Sequence, residues 1–115
     1  MKFIQENAQD VGWDGLKGKA YNSKDDFANA SAISFVVTGR HGRTKSKISD
    51  RVYYVIDGKG IFDVDGDKTK VAKADVIIVP KNTPYDYWAE QGSELKLFLV
   101  HTPAFDSEKE VNLGK

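Results

Sequence analysis

Residues 51–66 read RVYYVIDGKGIFDVDG, and the punctuation of this stretch decides the fold. Val52-Tyr53-Tyr54-Val55-Ile56 is β-branched and aromatic, and Asp57-Gly58 stops it. Gly60-Ile61-Phe62-Asp63-Val64 alternates and stops at Asp65-Gly66, a dipeptide suited to a type I′ hairpin because both residues tolerate positive φ. The same grammar continues outward. Ile33 to Val37 is a β-rich run ended by Gly39, Lys70-Val71-Ala72 is short, and Val76 to Val79 ends at Pro80. Tyr85 to Trp88 follows a turn holding Asn82 and Pro84, and Leu95 to His101 is the last clear run. Short strands punctuated every eight to twelve residues predict an all-β sandwich or barrel.

The flanks are less regular. Phe3 and Ile4 suit a short edge strand, Gly12 to Lys19 carries three glycines and reads as an irregular loop, and Asp25 to Ala30 suits one helical turn. Trp13 reads as a cap on one end of the core, and no helix of ten or more residues finds support. The expected organisation is a single domain over 1–115. A barrel core spans about 31–103, an N-terminal arm 1–30, and a charged C-terminal tail 104–115 that hugs the surface or frays.

Composition removes several function classes. At 115 residues the chain folds to roughly 6,000 Å² of surface from roughly 18,000 Å² unfolded, enough burial for a core without staples. Seventeen basic residues balance seventeen acidic ones, which leaves no global electrostatic case for nucleic-acid binding. There is no cysteine, so thiol catalysis, disulfides and thiolate metal sites are excluded. The longest apolar runs are far too short to span a membrane, and no signal-peptide layout opens the chain. The expectation is a soluble cytoplasmic protein. No phosphate-binding loop precedes a helix, and the aspartates at 63, 65 and 67 lack the glycine and glutamate of a calcium loop. No serine nucleophile elbow occurs.

From Ile33 to Thr102 the order of strands and turns resembles the cupin superfamily, whose members are jelly-roll β-barrels. Arg51-Val52-Tyr53-Tyr54-Val55-Ile56-Asp57-Gly58 is similar to the glutamate-to-glycine half of the first cupin motif. Ala74 to Tyr85, with Val79-Pro80-Lys81-Asn82-Thr83-Pro84, is similar to the second. The resemblance implies a single-domain cupin-type jelly roll, a small-molecule ligand in the barrel and a homodimer. The ligand positions depart from the family. Lys45-Ser46-Lys47 stands about where the metal-binding histidine pair belongs, and Tyr85 stands at the second-motif histidine. The glutamate position holds Arg51, or Asp50 if the register shifts by one. Cationic side chains are hydrogen-bond donors only, so no metal and no cofactor is expected, with His41 and His101 left as the residues for any atypical metal site.

The family glutamate points into the barrel, which by resemblance sends Arg51 and Tyr53 inward, along with Lys45 and Lys47 if that stretch is extended. Tyr85 and Tyr87 share one face of their strand, and Leu97, Leu99 and His101 share another. The expected ligand-binding set is Arg51, Tyr53, Tyr85, Tyr87, Lys47, Trp88 and His101, with His101 and Tyr85 the catalytic candidates. Aromatic walls with a few convergent polar groups suit a small-molecule pocket. Five basic residues and one acid between Arg40 and Arg51 favour an anionic or sugar-like ligand. Each residue also has a plainer reading. Arg51 can pair with Asp50 or Asp63 at the rim, the lysines can be solvated loop residues, the tyrosines core filler, and His101 a backbone-bonded core histidine. His41, flanked by Gly39, Arg40, Gly42 and Arg43, reads as a loop residue.

Three functions follow. The leading one is a metal-independent cupin-like small-molecule-binding protein. The second is a metal-free isomerase or epimerase of a carbohydrate derivative, with His101 or His41 paired to a tyrosine as base and acid. The third is an interaction protein whose Val52-Tyr54-Ile56 face buries against another sheet or subunit. The first needs an open cavity with Arg51 pointing into it, and the third needs a filled barrel. The second needs His101 or His41 within about 3.5 Å of a pocket tyrosine or ligand, directly or through one water.

Overall fold

The computed structural model describes residues 1–114. Its strands are β1 (Gln9–Trp13), β2 (Leu16–Ala20), β3 (Ser31–Val37), β4 (Arg43–Ser46), β5 (Asp50–Asp57) and β6 (Lys59–Val64), then β7 (Asp67–Ala72), β8 (Val76–Val79), β9 (Tyr85–Ala89), β10 (Leu95–Thr102) and β11 (Glu110–Gly114). They form two antiparallel sheets, one ordered β1-β2-β3-β10-β5-β8 and the other β11-β4-β9-β6-β7. The all-β expectation holds, and every strand anticipated between Ile33 and His101 is present with its ends shifted by at most three residues.

The alternation along β5 fixes the sheet's two faces. Arg51, Tyr53 and Val55 are buried, while Val52, Tyr54 and Ile56 are exposed. That parity settles the register at the family's glutamate position: Arg51 faces inward and Asp50 outward. Between the sheets lie Leu16, Phe35, Val37, Tyr53, Val55, Phe62, Leu95, Leu97 and their neighbours. Asp65 and Gly66 both take positive φ, at 53° and 88°, so the hairpin between β6 and β7 has the backbone its dipeptide favours.

The chain ends differ from expectation. Gly12 to Lys19 is not irregular: it contributes the hairpin β1–β2, whose turn is Asp14-Gly15, the same dipeptide type as Asp65-Gly66. The glycines serve packing there. A Cβ on Gly18 would sit 2.6 Å from the Phe35 ring, so only glycine lets Phe35 lie against β2. Phe3 and Ile4 form no strand, and Asp25 to Ala30 makes turns rather than a helix. The charged tail does not fray. After a single 3-10 turn at Ser107–Lys109 it becomes β11, which pairs with β4 through Glu110 opposite Ser46. Among the described residues no helix is long and apolar enough to cross a membrane.

Candidate functional site

A cavity of about 1030 Å³ opens at one end of the barrel. Its inner wall includes Phe35, His41, Arg51, Tyr85, Leu99 and His101, and Trp13 and Glu110 stand at its rim. β5, β9 and β10 each deliver one polar side chain from a buried face: Arg51, Tyr85 and His101. The barrel is therefore not filled.

Arg51 is only 3% exposed and needs compensation. It receives none from Asp50 or Asp63. Its Nη2 donates to Glu110 Oε1 from β11, and the guanidinium lies 5.2 Å from the Tyr85 ring centre. Its Nε is buried without a partner among the described residues.

Behind Tyr85 the aromatic residues pack ring on ring. Tyr53 meets Phe62 edge-on at 5.0 Å and Tyr87 at 5.4 Å, and Phe62 stacks on Tyr87 at 4.6 Å. Tyr53 and Tyr87 are fully buried, and neither hydroxyl has a partner in hydrogen-bonding geometry among the described residues. Both lie beneath the cavity rather than on its surface. Burial pushes the phenols of Tyr53, Tyr85 and Tyr87 well above their ordinary range, so all three stay protonated hydrogen-bond donors.

His41 lies in a loop, as expected, but that loop carries it into the site. The ring stacks on Tyr87 at 4.7 Å and approaches Tyr85 at 5.3 Å and Trp13 at 5.2 Å. Its position is fixed from both sides. The His41 N–H donates to Tyr87 O at 2.8 Å, and Trp13 Nε1 donates to His41 O at 3.1 Å. Asp86 holds both neighbours, accepting from Gly42 N at 2.8 Å and from Arg40 Nε at 2.6 Å. Arg40 in turn covers Trp88 at 4.4 Å.

Imidazole Nδ1 lies 2.7 Å from the Gly42 carbonyl. A carbonyl only accepts, so Nδ1 carries the hydrogen and Nε2 keeps the lone pair. Burial, with a contribution from Arg51, lowers the His41 pKa, which keeps the ring neutral at physiological pH.

His101 is the second imidazole of the cavity. Its Nδ1 is 3.4 Å from Ser31 Oγ, which also accepts from Phe105 N at 2.8 Å. Burial, then Arg51 and His41, depress its pKa to about 3.

Beyond Tyr53 and Tyr87, two more of the expected site residues stand away from the cavity. Lys47 does not point inward. β4 ends at Ser46, and it is Ser46 that is buried, so Lys47 lands on the exposed side and lines no part of the cavity. Trp88 faces the opposite side of β9 from Tyr85 and Tyr87, under Arg40. The basic excess between Arg40 and Arg51 therefore disperses: Arg40 pairs with Asp86, Arg51 with Glu110, and Lys47 meets solvent. Asp86 and Glu110 were not anticipated. Asp86 sits at an outward strand position that its own loop covers, and Glu110 lay in a segment read as surface tail.

The family resemblance raises the question of a divalent transition metal. Among the described residues no three His, Asp or Glu side chains converge. The positions that would supply ligands hold a paired guanidinium and a protonated phenol, and neither donates a lone pair to a metal at neutral pH. The residues do not fit a cupin metal.

Comparison with known proteins agrees with the fold. The family model described as a cupin domain matches residues 38–101. An uncharacterized protein of Methanocaldococcus jannaschii is 30% identical over 64 residues, 56% of this chain and 51% of that protein, so the chain matches about half of that relative's length. Among solved structures, Pac13, a nucleoside dehydratase, superposes with a TM-score of 0.86 at 23% identity, covering 99% of this chain and 91% of that one. Streptomyces variants of it with one histidine or one tyrosine replaced have been solved with uridine. KdgF from Halomonas gives a TM-score of 0.75 at 18% identity over 92% of this chain and 96% of that one. Oxalate decarboxylase of Bacillus subtilis gives 0.84 at 15% identity over 96% of this chain and 31% of that one.

The depressed histidines make a prediction with a definite sign. The unfolded chain binds a proton at His101 near its ordinary 6.5, whereas the folded chain resists until about 3. The contribution to stability is complete above the unfolded value and falls away as the pH drops toward 3. In a carbon-detected NMR titration His101 should remain neutral at pH 5. His101→Gln should flatten the loss of denaturant resistance between pH 7 and pH 4. An imidazole that titrates near 6.5 would contradict the burial assigned to it.

Proposed function

Because this chain belongs to the cupin domain family, we propose that its barrel binds a small sugar-containing molecule, of the nucleoside or carbohydrate-derivative class, and acts on it without metal by acid–base chemistry. The observation that carries the reading is His41: neutral, with its Nε2 lone pair free, its ring held against Tyr87 and Tyr85 on an open cavity. A base must lie within hydrogen-bond reach of the proton it removes and keep its lone pair at working pH, and a neutral buried imidazole meets both needs. The similar solved proteins supply the substrate class, a nucleoside for Pac13.

In this reading His41 Nε2 takes a proton from a carbon beside a carbonyl. The C–H electron pair moves toward the carbonyl oxygen, and Tyr85 donates a hydrogen bond to the negative charge that develops there. From that enolate two outcomes balance. Where the deprotonated carbon bears a hydroxyl, that hydroxyl's proton passes to the former carbonyl oxygen and His41 returns its proton to the neighbouring carbon, which gives isomerisation. Loss of a β-hydroxyl, which leaves as water with the proton that His41 took up, gives dehydration. Tyr53 and Tyr87 support the ring stack from below, and His101 stands across the cavity as a neutral polar wall. A depressed pKa near 3 makes His101 a poor base, so the base assignment passes to His41.

The second part of the reading concerns assembly. Val52, Tyr54 and Ile56 on β5 adjoin Val76 and Ile78 on the edge strand β8, in register as Val52 opposite Ile78 and Tyr54 opposite Val76. Val76 is 58% and Ile78 61% exposed, an apolar face that a second copy of the chain would cover. The absence of cysteine suits a reducing, cytoplasmic setting.

His41→Gln should lower turnover of a dehydratable or epimerisable sugar aldehyde by about 100-fold or more, while the affinity for uridine changes by less than about tenfold. Unchanged turnover in that variant would remove His41 from the chemistry. Light scattering at micromolar concentration should give twice the mass of one chain, and a Tyr54→Lys, Ile78→Lys double variant should give the mass of one. A wild-type chain that elutes at single mass would refute the dimer.

A further inference from the structure

We propose that Glu110, carried into the cavity by the C-terminal strand, is a specificity-determining residue that occupies Arg51 and thereby closes the site to phosphorylated and carboxylated ligands while leaving it open to uncharged ones. The inference rests on the reading that this cavity is the ligand site.

Arg51 is the cavity's obvious anion receptor, a planar guanidinium that forks onto phosphate or carboxylate. It is 3% exposed, however, and its Nη2 already donates to Glu110, whose side chain is itself only 19% exposed. An incoming anion would have to expel that carboxylate or lie beside it, with little water to screen the repulsion. The rest of the wall offers no substitute. Lys24 pairs with Asp106 at 3.2 Å, and the remaining lining cation, Arg43, is a partly exposed residue at the start of β4 whose charge solvent screens. With both histidines neutral, the charged residues lining the cavity carry one acidic group more than basic. A dianionic phosphate meets a wall whose one buried cation is already paired, whereas a hydroxyl meets donors and acceptors of both kinds. The Glu110 carboxylate, which lines the cavity, remains a polar site for such hydroxyls.

Two measurements test this. In the first, inorganic phosphate is added to the wild type, to Glu110→Gln and to a Glu110→Gln, Arg51→Met double variant, with unfolding followed by calorimetry. Phosphate should raise the melting temperature of Glu110→Gln alone. Equal stabilisation of the wild type, or a folded Glu110→Gln that is blind to phosphate, would overturn the proposal. In the second, uridine and uridine 5′-monophosphate are titrated against the wild type, which needs no variant to fold. The monophosphate should bind at least about tenfold more weakly, a difference of about 1.4 kcal/mol. Tighter binding of the monophosphate would also overturn it. If neither compound binds, the nucleoside reading fails, and the phosphate experiment still decides the role of Glu110.

Discussion

A guanidinium inside a β-barrel cannot be left alone, because an unpaired charge in a low-dielectric interior costs several kcal/mol. Arg51 is placed there by the alternation of β5, which turns Arg51, Tyr53 and Val55 inward. Its compensation comes from the far end of the chain, through Glu110 on β11. The last strand thus has an electrostatic reason to dock as well as a ladder of backbone hydrogen bonds with β4. Loss of one partner alone is expected to cost about 3–5 kcal/mol, whereas an apolar pair of similar volume would not. The ion pair thus ties the geometry of the cavity mouth to the integrity of the second sheet. Burial first, and then the Arg51 charge, lower the pKa values of both histidines.

A second constraint fixes the imidazole. The loop from Gly39 to Gly42 would be free to move if its backbone groups faced water. Instead Asp86 accepts from the residues on both sides of His41, and Tyr87 accepts from His41 itself. Asp86 and Tyr87 are neighbours on β9, so one strand fixes the loop's backbone while also stacking its ring. A base held by its flanking residues needs no reorganisation before a proton moves.

The sequence made most of the scaffold legible because it is written in period-two alternation and glycine turns, both local signals. Alternation grouped Arg51 with Tyr53, Tyr85 with Tyr87, and His101 with Leu97 and Leu99, while the family resemblance indicated which face of β5 turns inward. The misses share a physical cause. Lys47 follows a strand of four residues, too short for alternation to fix a face. Asp86 occupies an outward position that became buried only because a loop distant in sequence folded over it. Glu110 lies in a charged segment whose burial depends on a single long-range partner. The hairpin β1–β2 was legible at Asp14-Gly15, but the surrounding glycines masked it.

The account's central claim is that a cupin barrel in which a guanidinium and phenols stand at the metal-ligand positions works through a neutral imidazole. It is tested most directly by a crystal structure of the protein grown with uridine in a buffer containing manganese. The predicted result is the nucleoside in the cavity within hydrogen-bond distance of His41 Nε2 and Tyr85, with no ion bound to Arg51, Tyr85 or the histidines. An ion coordinated in the lumen by His41 and His101, or a nucleoside bound outside the barrel, would contradict it.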